Sequence, residues 1–175
     1  MSIHYETLLA AVDADNSEEE IHRLLANDPL RSVLPALFGW RVSEAQVISK
    51  PGLHKSVPDF AVSHLVKTTG MREWALIELE RPSMSLFTRS GDPRSELTHA
   101  VNQITVWRSW IMQNIAYART LLPDVSPTFT GIVVMGRRSS LEASANALAA
   151  YNDSLLNVRV RTFDWILDKV LEVGL

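Results

Sequence analysis

The heptapeptide WALIELE at residues 74–80 constrains this chain more than any other stretch. Strand alternation sends Trp74, Leu76, Glu78 and Glu80 to one face and Ala75, Ile77 and Leu79 to the other. An otherwise apolar strand therefore ends in two carboxylates that share a face, and Arg81-Pro82 halts it. Along a strand their Cα atoms stand about 7 Å apart, close enough for the side chains to converge on one ion or on its bound water. Like charges brought together in a partly buried place are costly unless a cation or a donor compensates them. Two explanations compete: a solvated strand end where Arg81 neutralises both acids, or a site that holds a cation.

The remaining pattern builds an α/β fold around this strand. Ser17-Glu18-Glu19-Glu20 before IHRLLAND has the form of a capping box opening a helix that stops before Asp28-Pro29. A short helical stretch near 31–37 follows. Strands are expected at 43–49, 59–66 and 74–80, with residues 67–70 as a hairpin loop between the last two. A loop over 83–93 leads to a long helix from about 94 to 122, ended by Pro123. TFTGIVVMG at 128–136 reads as a strand buried on both faces. A helix over 141–155, a strand at 158–163 and a terminal helix over 164–173 complete the order. The expectation is one domain, residues 1–175, with a helical N-terminal part (1–40) and a core (41–175) of a mixed central sheet flanked by helices.

Composition narrows the partners. The chain has no cysteine, so a disulfide scaffold and a thiolate metal site are excluded. No run reaches the roughly 18–20 apolar residues needed to span a bilayer, and the first residues lack a basic segment followed by an apolar one, which suggests a cytoplasmic protein without a membrane partner. The formal net charge of -3 argues against a nucleic-acid partner until it is divided by segment. Residues 1–30 hold seven acids and one base, whereas from residue 31 onward there are 16 bases and 13 acids. Arginines outnumber lysines 13 to 4, and the arginine fork suits phosphates and carboxylates alike. The competing use for these arginines is pairing with surface acids.

A third acid joins the pair. Asp59, after Pro58, opens the preceding strand, and antiparallel pairing of 59–66 with 74–80 carries it to the strand end where Glu78 and Glu80 lie. Three carboxylates there are hard oxygen ligands that suit Mg2+ or Mn2+ rather than zinc. A divalent ion could activate water and stabilise charge on a phosphoryl oxygen.

Pro58-Asp59 followed by Glu78-Leu79-Glu80 resembles the PD-(D/E)xK nuclease signature, and the wider sequence resembles the nuclease domain of the Shedu antiphage proteins. The likeness runs over roughly residues 17–167, through LLANDP, PDF, IELERP, AVNQITVW and GIVVMGRR leading to SSLEASANAL. It implies a restriction-endonuclease-like core and metal-dependent hydrolysis of DNA in antiphage defence. Asp59 and Glu78 would hold the metal, with the Leu79 carbonyl as a further ligand. Assembly of several copies through this domain is implied in the same way. The third motif position, normally Lys, is Glu80, which can take a proton from water but cannot supply positive charge to a transition state. The alternative is therefore a nuclease fold with impaired chemistry, serving to bind DNA or to assemble. Lys55 is the nearest lysine by sequence that could substitute.

Gln103 and Trp107, four apart on the long helix, resemble the QxxxY element of related nucleases. Gln103 could support a metal-bound water or a phosphate, and Trp107 fits a core position at least as well. Lys55, with His54 beside it, could contact the DNA backbone from its turn. Arg137 and Arg138, at a strand end, could bind phosphate or anchor the next helix. Arg159 and Arg161 fit a solvated face. His4, His22, His64 and His99 have no metal-ligand spacing. Glu18, Glu19 and Glu20 could lend a metal ligand, as acids of an N-terminal helix do in some nucleases of this fold, but capping accounts for Glu20 and none of the three is assigned to the site.

Overall fold

A computed structural model describes residues 2–15, 17–53, 57–141 and 145–175. Three helices come first: α1 (Ile3–Asp13), α2 (Glu18–Ala26) and the short α3 (Val33–Ala36), entered through a 3-10 turn. The strands β1 (Ala45–Ser49), β2 (Phe60–Val66) and β3 (Met71–Leu79) follow, then α4 (Ser95–Gln113) and α5 (Ile115–Leu121). The chain ends with β4 (Thr130–Val134), α6 (Ala145–Ser154), β5 (Val158–Arg161) and α7 (Phe163–Glu172).

The five strands form one mixed sheet in the order β1-β2-β3-β4-β5. β1 to β3 pair antiparallel, and β3, β4 and β5 pair parallel, so β3 is the strand at which the sheet changes sense. The hairpin read from the sequence is present, with Phe60 opposite Ile77 and Val66 opposite Met71. This is an α/β fold, a mixed sheet with helices on both faces, consistent with a restriction-endonuclease-like core.

Strand alternation divides the core in two. Ala61, Trp74, Leu76 and Val133 face α4, α5 and α6, where Ile104, Trp107 and Ile111 meet them. Phe60, Val62, Ile77, Leu79 and Val134 face the opposite way, onto Leu8, Ile21, Leu34, Phe163 and Ile166 of the terminal helices. The N-terminal helices thus complete one layer of the sheet's cover. Gly131 allows α4 to approach β4, because a Cβ there would overlap the Ile104 side chain.

Three details depart from the sequence reading. The chain forms α1, which the sequence did not announce, with Ser2 Oγ accepting the Tyr5 N–H at 3.2 Å. The helix expected from 94 to 122 is interrupted at Asn114, whose backbone leaves helical geometry (φ -125, ψ 35) while its Nδ2 donates to the Trp110 carbonyl at 2.9 Å. Residues 42–44, partly assigned to the first strand, form a 3-10 turn instead. Among the described residues, no helix is long and apolar enough to cross a membrane.

Candidate functional site

Asp59 ends the β1–β2 connection at the point where the hairpin register carries it beside the end of β3. Its Oδ2 accepts the Leu79 N–H at 2.8 Å, so the carboxylate fastens the two strands. Glu78 shares the α4-facing side of β3 with Trp74 and Leu76 and is 9% exposed. Glu80 lies one residue beyond the strand, half-buried, with its N–H donating to the Val134 carbonyl at 2.8 Å.

From α4, Gln103 hydrogen-bonds the Glu78 carboxylate. Trp107, one turn on, is fully buried in the core, the role its spacing also allowed. Gln103 does not satisfy Glu78 completely, because Glu78 Oε2 is buried with no hydrogen-bond partner among the described residues. An orphaned carboxylate oxygen of this kind calls for a ligand or a proton.

The electrostatics say the same. Burial, then the negative charges of Asp59 and Glu80, push Glu78 up to about 9. Burial and the charges of Glu18, Asp59 and Glu96 push Glu80 up to about 7. Asp59 is raised by burial, an effect opposed by the Leu79 N–H and by the nearby His22 and Lys50. Among the described residues none of the three forms an ion pair. Arg81 turns instead to Glu18, with Nε 3.8 Å from Oε1.

Three contributors were not assigned a part from the sequence. Glu18, in the first turn of α2, adds its charge to the field at Asp59, Glu78 and Glu80. His22, 6% exposed and stacked on Phe60, places Nε2 at 3.3 Å from the Asp59 carbonyl and 3.0 Å from Ser49 Oγ. Lys50 donates its N–H to the Asp59 carbonyl at 2.9 Å and pairs through Nζ with Glu19 at 2.5 Å. Glu18 could be named from the sequence as a possible ligand but not placed at the strand end, and no local pattern announces a contact across 37 residues such as His22 to Asp59.

Arg137 and Arg138 are not part of this cluster's hydrogen bonding. Arg137 pairs with Asp13 and, at 3.3 Å, with Asp164, while Arg138 pairs with Asp168 and donates its backbone N–H to Asp164 at 2.5 Å. They tie the end of β4 to α1 and α7, whereas the anchoring expected from the sequence was of the next helix. Lys55 and His54 lie outside the described residues.

The fit to a metal can be judged from the donors. Among the described residues no three His, Cys, Asp or Glu side chains form a group set to hold an ion, so the three acids share the strand end without closing into a cage. What remains is Asp59, Glu78 with its unpartnered oxygen, and the Leu79 carbonyl. Two carboxylates with water completing the shell suit Mg2+, which keeps several waters and seldom takes an all-protein cage. The residues present fit a hard divalent ion.

A family model described as the C-terminal part of the Shedu protein SduA matches residues 15–167. No curated protein matches the chain.

Proposed function

The chain belongs to the Shedu SduA C-terminal family and is thereby an antiphage defence protein, and from that premise we propose that it is a metal-dependent nuclease of the PD-(D/E)xK type that hydrolyses phosphodiester bonds in DNA. The observation that carries this reading is the buried Oε2 of Glu78, which has no hydrogen-bond partner among the described residues, on a carboxylate that Gln103 hydrogen-bonds and the charge of Asp59 reaches. Asp59, Glu78 and the Leu79 carbonyl would hold Mg2+ or Mn2+, and the ion would supply positive charge to a phosphoryl oxygen and acidify water. Gln103 orients the Glu78 carboxylate. Glu80, pushed up to about 7, suits a general base that takes the proton of the attacking water near neutral pH. The cytoplasm is the compartment in which such an activity meets phage DNA.

The test is cleavage of plasmid and linear DNA by the purified protein with Mg2+ and with Mn2+. Cleavage that needs either ion and disappears in Asp59→Ala and Glu78→Gln is the expected result. Absence of cleavage with both ions across several substrates would overturn the proposal.

One observation favours a second reading. Glu80 stands where related nucleases carry Lys, and no cation among the described residues forms an ion pair with it. A nuclease fold with lost chemistry would bind DNA without cutting it. Glu80→Lys separates the two: gained cleavage marks an impaired site, and lost cleavage marks Glu80 as the working base. We also propose a homo-oligomer, supported by the exposed Val106, Met112 and Tyr117 on α4 and α5, with mass measurement in solution as its test.

A further inference from the structure

Residues 80–94 connect β3 to α4 without a helix or strand of their own. A connection of that length inside a compact domain is either disordered or functional, and this one is built rather than slack. Leu86 and Phe87 are buried at 1% and 7%, Phe87 bridges to Pro93, and the Arg94 N–H donates to the Leu86 carbonyl at 2.9 Å. Gly136 lets the segment press onto the end of β4, since a Cβ there would lie 2.5 Å from the Met84 carbonyl oxygen. The tip, residues 88–92, is closed by its own bonds: Thr88 N–H to the Asp92 carbonyl at 2.9 Å and Ser90 Oγ to Asp92 Oδ2 at 2.7 Å.

The charges on this fixed loop are Arg81, Arg89 and Arg94 against Glu80 and Asp92; Arg81 turns to Glu18, and Asp92 Oδ2 accepts from Ser90. Arg89, exposed at the tip, makes no ion pair, hydrogen bond or ring contact among the described residues. Arg94 gives its Nε to the Phe87 carbonyl at 3.3 Å and forms no ion pair among the described residues. The loop starts at Glu80, and Glu96 just past its end adds to the negative field at Glu80, so both ends stand beside the acids. An acidic cluster repels a polyanion, and cations held at its rim are what would keep a phosphate backbone there.

We propose that the β3–α4 loop is the arm by which the site holds DNA, with Arg89 at the tip and Arg94 at the base contacting phosphates next to the bond to be cut. This rests on the nuclease reading. Contacts of this kind position the backbone without reading its sequence, so affinity depends on salt and not on base order.

The experiment measures binding of a fluorescent duplex of about 20 base pairs over a salt series, with Ca2+ replacing Mg2+ to limit cleavage. One lost phosphate contact lowers the slope of log affinity against log salt by about 0.9 and weakens binding about threefold to tenfold at moderate salt. Arg89→Ala is expected to do both, Arg89→Glu to weaken binding further, and Arg41→Ala, near the start of β1 at the other end of the sheet, to do neither. Wild-type binding that Arg89→Ala leaves unchanged in strength and slope would overturn the arm and leave the nuclease reading standing. No wild-type binding at low salt would overturn both.

Discussion

Glu78 is held between two opposing requirements. A metal needs its carboxylate ionised, whereas burial beside Asp59 and Glu80 favours the proton and lifts it from 4.5 to about 9. A carboxyl whose folded value is raised contributes stability that is fully present below its unfolded value and is lost as pH rises through the folded one. Without metal, stability is therefore expected to fall between about pH 4.5 and pH 9, and melting in a chelator across that range should show it. Glu78→Gln should flatten the decline, and Mg2+ should restore melting temperature at pH 8 but hardly at pH 5. A melting temperature that stays level from pH 5 to 9 in the chelated wild type would contradict this account. Glu80 titrates lower, at about 7. If it is the base, single-turnover cleavage rises with pH up to about 7, and Glu80→Gln lowers the rate by about 10²–10⁴ and removes that rise. An unchanged pH profile in Glu80→Gln would assign the proton to another group.

At the scale of elements, the β5 edge of the sheet needs protection. Among the described residues β5 pairs only with β4, and an unpaired strand edge invites pairing with another chain. Asn152 of α6, 8% exposed, covers it with its amide: Oδ1 accepts the Val160 N–H at 2.7 Å and Nδ2 donates to the Val160 carbonyl at 3.2 Å. One side chain thereby imitates a neighbouring strand. Asn152→Leu leaves both backbone groups unsatisfied and is expected to cost about 1–3 kcal/mol in denaturant unfolding, with more aggregation on mild heating. An unchanged unfolding midpoint would show that water replaces the amide without loss. The asparagine could not be singled out in the sequence, since an Asn on an Ala-rich helix has the same pattern whether it points to water or to a strand.

Across the whole molecule, what could be read from the sequence was what lies close together along the chain. The hairpin followed from alternation and a turn, and it brought Asp59 to Glu78 without any knowledge of the rest. Gln103 was singled out by the resemblance of Gln103 and Trp107 to the QxxxY element, and helical spacing added only that the two share a face. Contacts between distant segments were not legible, which is why His22 and Lys50 had no part, and Glu18 was only one of three acids that could lend a ligand, until α2 and β1 were seen against Asp59. The α1 helix escaped for another reason: its apolar residues spread around the cylinder, and only packing on α2 and α7 selects the buried set Leu8, Ala11 and Val12. The ion pairs of Arg137 and Arg138 with Asp13, Asp164 and Asp168 are likewise contacts between distant segments that no local pattern announced.

The change of sense at β3 also sets a timetable for folding. β2 and β3 meet across a short turn, whereas parallel pairing of β3 with β4 must wait for α4 and α5 to be threaded between them. Asp59 and Glu78 are thus brought together while water still surrounds them and their repulsion is weak, and the lid of α4 comes down afterwards. Pulse-labelled hydrogen exchange during refolding should find amides of residues 60–66 and 71–79 protected before those of 130–134 and 158–161. Simultaneous protection of all four strands would mean that the carboxylates are confined in the same step that dries them.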